Sequence, residues 1–407
     1  MLLDLLGPIF RSGCFSIGCW YVMPLAFFCM SDLASLIAKP VVQFETGKDG
    51  RVITIPVTFE GKQYRFLVDT GASKTTFDAV FENKLGDATG ESQLGVSGGS
   101  IRTKKFQSPN AFVGQESFRS LESVVILDLG AMRAATGQDF YGILGMDFLS
   151  SYAFEIDFDN GFFSLFHTVP SEWLQNGVAV KLGRRNECLS LPLLVGNNQM
   201  EEFIIDTGAN ASTLRSGLFD MLVASNQITP ARDVTVAGAG GFFRSRVGLV
   251  KELSLAEFRT TNIRIDRDDA SLLGLWYLAR YQWRIDGPGN TAYIRQGKQF
   301  AKREPTATSG LNIFLKNLDM VVVGIDAGSP AERAGLKPGD IVELINDKRA
   351  ATFDTHELRA TLTDQEGKIV RLKVRRGNEV LETQVTLASR FANAVSENLL
   401  LRSEGNP

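Results

Sequence analysis

Two stretches of the chain are nearly identical: Phe66–Ala72 reads FLVDTGA, and Phe203–Ala209 reads FIIDTGA. The aspartates of their Asp-Thr-Gly triplets are 206 − 69 = 137 positions apart. Each triplet follows an apolar run that favours a buried strand, whereas aspartate itself is a poor strand residue. A carboxylate directly after such a run lies at the rim of an apolar core, where its pKa is perturbed. Two triplets in matching settings are therefore not explained by chance.

The repeat extends beyond the triplets. Two further pairs of segments match, namely 143–149 (ILGMDFL) with 272–278 (LLGLWYL), and 152–157 (YAFEID) with 281–286 (YQWRID). Alignment of Gly145 with Gly274 gives an offset of 129, and alignment of Asp157 with Asp286 gives the same offset. Internal self-similarity of this kind predicts a duplicated folding unit. The first copy has 137 − 129 = 8 more residues between its motifs, which we expect in surface loops.

Residues 41 to about 300 resemble a two-lobed aspartic peptidase of the pepsin and retropepsin superfamily. The resemblance implies a mainly β, bilobal acid-protease fold, in which a hydrophobic-hydrophobic-Gly segment braces each Asp-Thr-Gly loop. It also implies a role for each residue of the two loops. Asp69 and Asp206 would be the catalytic pair, Thr70 and Thr207 a hydrogen-bonded grip between the loops, Gly71 and Gly208 the points of close backbone approach, and Ala72 and Ala209 further loop support.

The chemistry of two facing carboxyl groups agrees with this resemblance. Like charges a few ångströms apart cannot both ionise, so the pair shares one proton and titrates as a unit. The ionised member can take a proton from water while the protonated member polarises the scissile carbonyl. Ala72 and Ala209 stand where pepsin-like members often have a hydroxyl, which predicts a less acidic activity optimum. Both aspartates belong to one chain, so a monomer should suffice for catalysis.

Glycine-rich segments between the motifs of each copy are candidates for mobile flaps. Residues 96–100 contain Gly98 and Gly99, and residues 236–241 contain Gly240 and Gly241. A hairpin tip of this kind can bend over a bound peptide and exclude water. Each segment alone is equally well explained as an ordinary hairpin turn. Their matching placement favours two flaps.

Residues 310–389 resemble an α+β PDZ domain of the bacterial type, through the run Gly328–Asp340 (GSPAERAGLKPGD). Members of that family bind a peptide terminus at a loop and add the peptide as a strand. The matching loop here is Gly310, Leu311, Asn312 and Ile313. Asn312 replaces a glycine of the family pattern, which leaves carboxylate capture open. His356 lies early on the predicted groove helix, where it is either a selectivity residue or an exposed surface histidine.

Composition argues against several other classes of site. The net charge of −3 leaves no electrostatic footprint for nucleic acid. With only two histidines, His167 and His356, a serine triad or a histidine-rich metal site is hard to assemble, so we expect no metal and no cofactor. Cys188 is the one cysteine beyond residue 29, and we interpret it as a packed apolar residue rather than a nucleophile.

The first predicted segment is a targeting sequence. Residues 12–31 carry no charge and suit a secretory signal or a membrane anchor, which places the catalytic part outside the cytoplasm, in the periplasm or the extracellular space. The predicted boundaries are 1–38 for this leader, 41–168 and 178–296 for the two lobes, 297–309 for a linker, 310–389 for the PDZ domain and 390–407 for a tail.

The sequence thus predicts an exported or membrane-tethered aspartic endopeptidase that acts on proteins or peptides, with a PDZ module that binds substrate or partner peptides. An alternative is a peptide-binding adaptor whose protease lobes have lost activity. Intact Asp-Thr-Gly in both copies argues against that loss. A further alternative is that occupancy of the PDZ domain gates the protease.

Overall fold

The computed structural model describes residues 39–391, except for 97–98, 239–240 and 317–318. The predicted leader (1–38) and all but the first two residues of the predicted tail therefore lie outside the described residues, as do two of the flap candidates, Gly98 and Gly240.

The first copy of the repeat consists of twelve described strands and two helices. The strands are β1 (Val42–Glu45), β2 (Thr54–Phe59), β3 (Lys62–Val68), β4 (Thr76–Asp78), β5 (Ala88–Val96), β6 (Gly99–Gln107), β7 (Ala111–Val113), β8 (Glu116–Ser117), β9 (Ser123–Leu127), β10 (Gly142–Leu144), β11 (Ala153–Asp157) and β12 (Phe162–Phe166). The helices are α1 (Gly130–Thr136) and α2 (Met146–Leu149).

The second copy consists of eleven described strands and three helices. The strands are β13 (Val178–Lys181), β14 (Gly183–Arg185), β15 (Cys188–Val195), β16 (Gln199–Ile205), β17 (Thr213–Arg215), β18 (Ile228–Gly238), β19 (Gly241–Leu255), β20 (Phe258–Asp268), β21 (Leu272–Leu273), β22 (Tyr281–Asp286) and β23 (Thr291–Gln296). The helices are α3 (Ser171–Gln175), α4 (Ser216–Ala224) and α5 (Leu275–Leu278).

The C-terminal part consists of nine described strands and two helices. The strands are β24 (Ala307–Thr308), β25 (Leu311–Lys316), β26 (Asp319–Ile325), β27 (Ile341–Ile345), β28 (Lys348–Arg349), β29 (Thr363–Asp364), β30 (Ile369–Arg376), β31 (Glu379–Thr386) and β32 (Ala388–Ser389). The helices are α6 (Pro330–Arg333) and α7 (Thr355–Leu362). Ser329 caps α6, since its side chain accepts a hydrogen bond from the Glu332 N–H at 3.3 Å.

Each copy folds around its own sheet. The sheet of the first copy has the order β5-β6-β9-β4-β10-β3-β2-β7-β8, and that of the second has the order β14-β15-β16-β21-β17-β20-β19-β18. The core of the first sheet is rich in phenylalanine, and Phe77 packs edge to face with both Phe66 and Phe118. Such aromatic pairs add about 0.5–1.5 kcal/mol each beyond their burial. The fold is mainly β, which confirms the fold class predicted from the sequence.

A third sheet joins the two copies, with the order β1-β12-β11-β22-β23-β13. Its central pair is antiparallel, and Ala153 on β11 faces Asp286 on β22. Across the same pair, the Arg284 guanidinium donates to the Glu155 carboxylate at 2.8 Å. The two central strands of this joining sheet lie in the segments YAFEID and YQWRID, which the sequence repeat had matched.

The segment predicted as a linker, residues 297–309, is held against the second copy. Arg280 is 4% exposed, and its guanidinium donates to the carbonyls of Phe300 and Lys302 and to the carboxylate of Glu304 at 2.8 Å. Strand β24 then pairs with β29 and β32 of the C-terminal part. Buried charge pairing of this kind fixes the segment in one path.

Helices are short throughout the described part of the chain, and the longest, α4, has nine residues. No helix there combines the length and the apolar composition that a bilayer crossing requires.

Candidate active site

Crossing strands place the two aspartates. Asp69 follows β3, which pairs in parallel with β10 through Leu67 and Ile143, and the Asp69 N–H donates to the Leu144 carbonyl at 3.1 Å. The second copy repeats this arrangement. Asp206 follows β16, which pairs in parallel with β21, and its N–H donates to the Leu273 carbonyl at 3.0 Å. Each hydrophobic-hydrophobic-Gly segment therefore lies beside its Asp-Thr-Gly loop.

Two buried threonines connect the loops. The Thr70 hydroxyl donates to the Ile205 carbonyl at 2.7 Å and accepts from the Thr207 N–H at 3.1 Å. The Thr207 hydroxyl does the same in reverse, donating to the Val68 carbonyl at 2.7 Å and accepting from the Thr70 N–H at 3.1 Å. Both threonines are 0% exposed. Four hydrogen bonds without competing water hold the loops in one fixed relation.

The two carboxyl groups meet between the loops. A Cβ atom on Gly71 would overlap the Asp206 carboxyl group, and one on Gly208 would overlap that of Asp69, so only glycine allows this approach. Each carboxyl group also receives two N–H groups of its own loop. Asp69 accepts from Gly71 and Ala72 at 2.8 and 3.1 Å, and Asp206 from Gly208 and Ala209 at 2.9 and 3.0 Å. Both aspartates are half-buried and line a cavity.

The environment raises the pKa of both carboxyl groups. Burial is the main cause for Asp69, and the N–H of Gly71 and other donors oppose it only in part. Burial also raises the pKa of Asp206 well above its usual range, and the nearby charge of Asp69 raises it further. The pair therefore retains a proton at a pH at which isolated carboxyl groups would have lost theirs.

Hydroxyl groups at a second pair of positions support the loops. The Gly145 N–H donates to the Thr75 hydroxyl at 3.3 Å, and the Gly274 N–H donates to the Ser212 hydroxyl at 3.1 Å. Sequence reasoning missed both hydroxyls. A signal was present, because Thr75 follows Asp69 and Ser212 follows Asp206 by the same six positions.

One pair of equivalent positions has diverged. The repeat offset of 129 aligns Asp147 with Trp276, because 147 + 129 = 276. The Asp147 carboxylate accepts from the Thr75 hydroxyl at 2.7 Å, within its own copy. The Trp276 ring instead lies 3.5 Å from the guanidinium carbon of Arg359, on helix α7 of the C-terminal part. This cation–π contact attaches the C-terminal part to the second copy.

Cys188 is buried at the wall of the site. Its side chain is 2% exposed, and its thiol donates to the Gly71 carbonyl at 3.2 Å. Burial, with the charges of Asp69 and Asp206, raises its pKa to about 12. A thiol with so high a pKa is not a nucleophile at neutral pH.

The aspartates line a cavity of ≈ 950 Å³, whose wall also includes residues of the β5–β6 hairpin and of the C-terminal part. The β5–β6 hairpin contributes Gln93, Leu94, Gly95 and Ser100 to its wall. Of the described flap candidates, Gly99 begins β6 and Gly241 begins β19. The first hairpin thus forms part of the wall of the cavity that the aspartates line.

The predicted PDZ residues line the same cavity. Gly310, Leu311, Asn312, Ile313 and His356 all contribute to its wall. The Asn312 amide donates to the Asp326 carboxylate at 3.1 Å. His356 is half-buried, not exposed on the helix surface, and burial, with the charges of Arg51 and Lys302, lowers its pKa. The structure therefore brings the PDZ loop and the two aspartates to one space.

Metal ligation has no support in the residues described. Within residues 39–391, less the three gaps, no group of three or more histidine, cysteine, aspartate or glutamate side chains is arranged to hold an ion.

Comparison with known proteins gives two family matches. A family model described as aspartyl protease matches residues 55–148, and one described as PDZ domain matches residues 321–376. The first match contains Asp69 and the bracing segment at Gly145. The second contains the strands from β26 to β30.

Three relatives share shorter stretches. Carboxyl-terminal-processing peptidase 2, chloroplastic, from Arabidopsis thaliana is 29% identical over 119 residues, or 28% of this chain and 22% of the relative. A probable periplasmic serine endoprotease, DegP-like, from Chlamydia trachomatis serovar D is 30% identical over 92 residues, or 23% of this chain and 18% of the relative. This chain thus spans about a fifth of the length of each. Among solved structures, the photosystem II D1 C-terminal processing protease is 20% identical, covers 21% of this chain and 25% of its own, and has a TM-score of 0.20.

The matched regions coincide with features already described. The aspartyl protease match lies on the first Asp-Thr-Gly loop and its crossing strands, and the PDZ match lies on the sheet that includes β26, β27 and β30. The chain therefore carries an aspartyl protease domain followed by a C-terminal PDZ domain.

Proposed function

We propose that this chain is an aspartic endopeptidase that cleaves proteins or peptides through Asp69 and Asp206. The observation that carries the proposal is the meeting of the two carboxyl groups, each against the glycine of the opposite loop, at the wall of a cavity large enough for a peptide. The raised pKa of both groups favours a pair that holds one proton between them.

In the proposed mechanism, the ionised carboxylate takes a proton from a water molecule, which then attacks the peptide carbonyl. The protonated partner donates a hydrogen bond to the carbonyl oxygen as negative charge develops there. The threonine grip keeps the two groups at a fixed separation, so that little reorganisation is needed during the reaction. The β5–β6 hairpin, with Gly99 beside its tip, would exclude bulk water once a peptide is bound.

One relative is named a serine endoprotease, but the paired aspartates of this chain favour a mechanism that uses carboxyl groups. The two histidines have other surroundings. His167 lies 3.4 Å from the Glu116 carboxylate, and His356 lies beside the charges of Arg51 and Lys302.

We propose that the protein is exported, because residues 12–31 form an uncharged apolar leader and the relatives are named periplasmic and chloroplastic.

A pepstatin-type inhibitor tests the proposed function directly. It should abolish cleavage of a peptide library by the full chain and should raise the thermal unfolding midpoint, since a ligand that binds only the folded state stabilises it. An adaptor with inactive lobes would show no cleavage and no shift with the inhibitor. Cleavage that persists with saturating pepstatin but stops with a serine-directed reagent would refute the aspartic mechanism.

The pH dependence of cleavage should reflect the raised pKa values. The active pair holds one proton, so the lower apparent pKa sets the acid limb of the rate profile and the higher one sets the alkaline limb. Because burial raises the pKa of both groups, both limbs shift to higher pH. We expect maximal kcat/KM at mildly acidic to neutral pH. A maximum confined to strongly acid pH would contradict this.

A further inference from the structure

The two Asp-Thr-Gly loops are related by an approximate two-fold axis that passes between the aspartates. The glycine of each loop approaches the aspartate carboxyl group of the other loop. The threonine hydroxyl of each loop donates to the last carbonyl of the opposite strand, at Ile205 and at Val68. A peptide bond that is cut between the aspartates lies at this axis. Equivalent residues of the two lobes therefore face the substrate on opposite sides of that bond.

Leu127 and Asp268 occupy equivalent positions in the two lobes. In the first lobe, β4 pairs in parallel with β9, and Asp78 is opposite Leu127. In the second lobe, β17 pairs in parallel with β20, and Arg215 is opposite Asp268. Asp78 and Arg215 are themselves equivalent, because 78 + 137 = 215. Since both Leu127 and Asp268 line the cavity of the aspartates, the substrate meets one of them on each side of the cut.

The surroundings of Leu127 are apolar. Leu127 packs against a buried cluster that includes Ile143, as do Val52, Ala72 and Met132. All five residues also line the cavity. An apolar side chain of the substrate that covers this surface removes it from water, which favours binding.

Asp268 presents a carboxyl group at the equivalent place. It is half-buried and accepts a hydrogen bond from the Asp269 N–H at 2.8 Å. Burial raises its pKa, and the charges of Asp269 and Asp266 raise it further. Within the described part of the chain, the charges that act on this carboxyl group are thus negative. A lysine or arginine side chain of the substrate would supply the opposite charge and hydrogen-bond donors.

A second pair of equivalent positions has the complementary difference in charge. Lys74 follows Asp69 by five positions, and Ala211 follows Asp206 by the same five. Both Lys74 and Ala211 line the cavity. A basic side chain on the first-lobe side would meet the like charge of Lys74, whereas on the second-lobe side it would meet only a methyl group at this position. Repulsion on one side and attraction on the other give specificity for one placement.

We propose that Asp268 selects substrates that carry a lysine or arginine on one side of the scissile bond, and that Leu127 accepts an apolar residue at the matching position on the other side. The substrate class is then proteins with an extended segment in which a basic and an apolar residue flank the cut. Asp268 determines specificity and takes no part in the proton transfers. This inference rests on the proposed function, because it concerns the substrates of the same cavity.

The test begins with a library of twelve-residue peptides, which the full chain cleaves and in which mass spectrometry locates the cuts. We expect enrichment of lysine and arginine at one position on one side of the cut, and of apolar residues at the matching position on the other side. A selected peptide is then compared with its counterpart that has glutamine in place of the basic residue. Its kcat/KM should be at least ~10-fold higher, because glutamine cannot form the charged hydrogen-bonded pair.

Three changes at Asp268 follow this ratio of kcat/KM values. Asp268→Asn removes the charge and should abolish the difference between the two peptides, whereas Asp268→Glu should keep the preference for the basic one. Asp268→Lys should instead favour a peptide with glutamate at that position, which general damage to the fold cannot produce. Each comparison is a ratio measured with one protein, so a general loss of activity cancels.

A matched control is Asp220→Asn, which removes an aspartate that pairs with Arg267, the neighbour of Asp268 on β20. It should leave the preference for the basic peptide intact. A library that is cut without preference for basic residues would overturn the inference and leave the peptidase standing. A preference that survives Asp268→Asn would overturn the assignment to Asp268. An uncut library, with no shift of the thermal midpoint by pepstatin, would refute the proposed function and this inference with it.

Discussion

Replacing Asp206 by asparagine should reduce kcat for a cleavable peptide by ~10³-fold or more. An amide can neither accept the proton of the attacking water as a carboxylate does nor supply an acidic proton to the carbonyl. Asp69→Asn should have a similar effect, because in the proposed mechanism the two groups share one proton and act as a unit. The measurement is single-turnover cleavage of a library-selected peptide at several pH values.

Asp220→Asn is the control for this prediction. Asp220 lies on α4, half of its side chain is exposed, and it pairs with Arg267 at 2.9 Å. Its replacement should leave kcat within about twofold, since a surface ion pair contributes roughly 0–1 kcal/mol. Either Asp69→Asn or Asp206→Asn with cleavage at the rate of the unaltered protein would refute the catalytic roles.

Replacing Thr207 by valine should lower the free energy of unfolding by about 2 to 4 kcal/mol, because it leaves two buried groups without partners. These are the Val68 carbonyl, which accepts from Thr207 at 2.7 Å, and the Thr70 N–H, which donates to it at 3.1 Å. The carboxyl groups should also lose their fixed separation, so kcat should fall as well. Denaturant unfolding and cleavage kinetics give the two measurements.

Thr207→Ser is the matched control, since it keeps the hydroxyl and removes only a methyl group. It should stay close to the unaltered protein in both measurements. Thr70→Val should lower the free energy of unfolding by a similar amount to Thr207→Val. The double variant should lose less unfolding free energy than the two single variants lose together, because the two hydroxyls belong to one network. A fully additive double variant, or a serine variant as damaged as the valine variant, would show that the grip does not act through these hydroxyls.

Much of the candidate active site could be predicted from local patterns in the sequence. The apolar run before Asp69 and Asp206, the glycine two positions later and the constant offset of the bracing segments are all local patterns, and each has a direct physical reason. The positions of Thr75 and Ser212 could have been found in the same way, from their equal distance to the aspartates.

Other features depend on contacts between distant parts of the chain. Arg359 contacts Trp276 only because α7 lies against the second lobe, and Arg280 holds the segment at Glu304 only once β22 and β23 are in place. Neither residue belongs to a recognisable motif. The half-burial of His356 has the same origin, since an amphipathic helix does not reveal in sequence which neighbouring domain covers it.

The divergence at Asp147 and Trp276 makes the two halves unequal as neighbours of the C-terminal domain. The Trp276 ring contacts Arg359 of that domain, whereas Asp147 bonds to Thr75 within its own half. The first half is contacted elsewhere, since the Thr355 hydroxyl donates to the Thr136 carbonyl at 3.1 Å. A duplicated pair of halves therefore holds one appended domain through two unrelated sets of contacts.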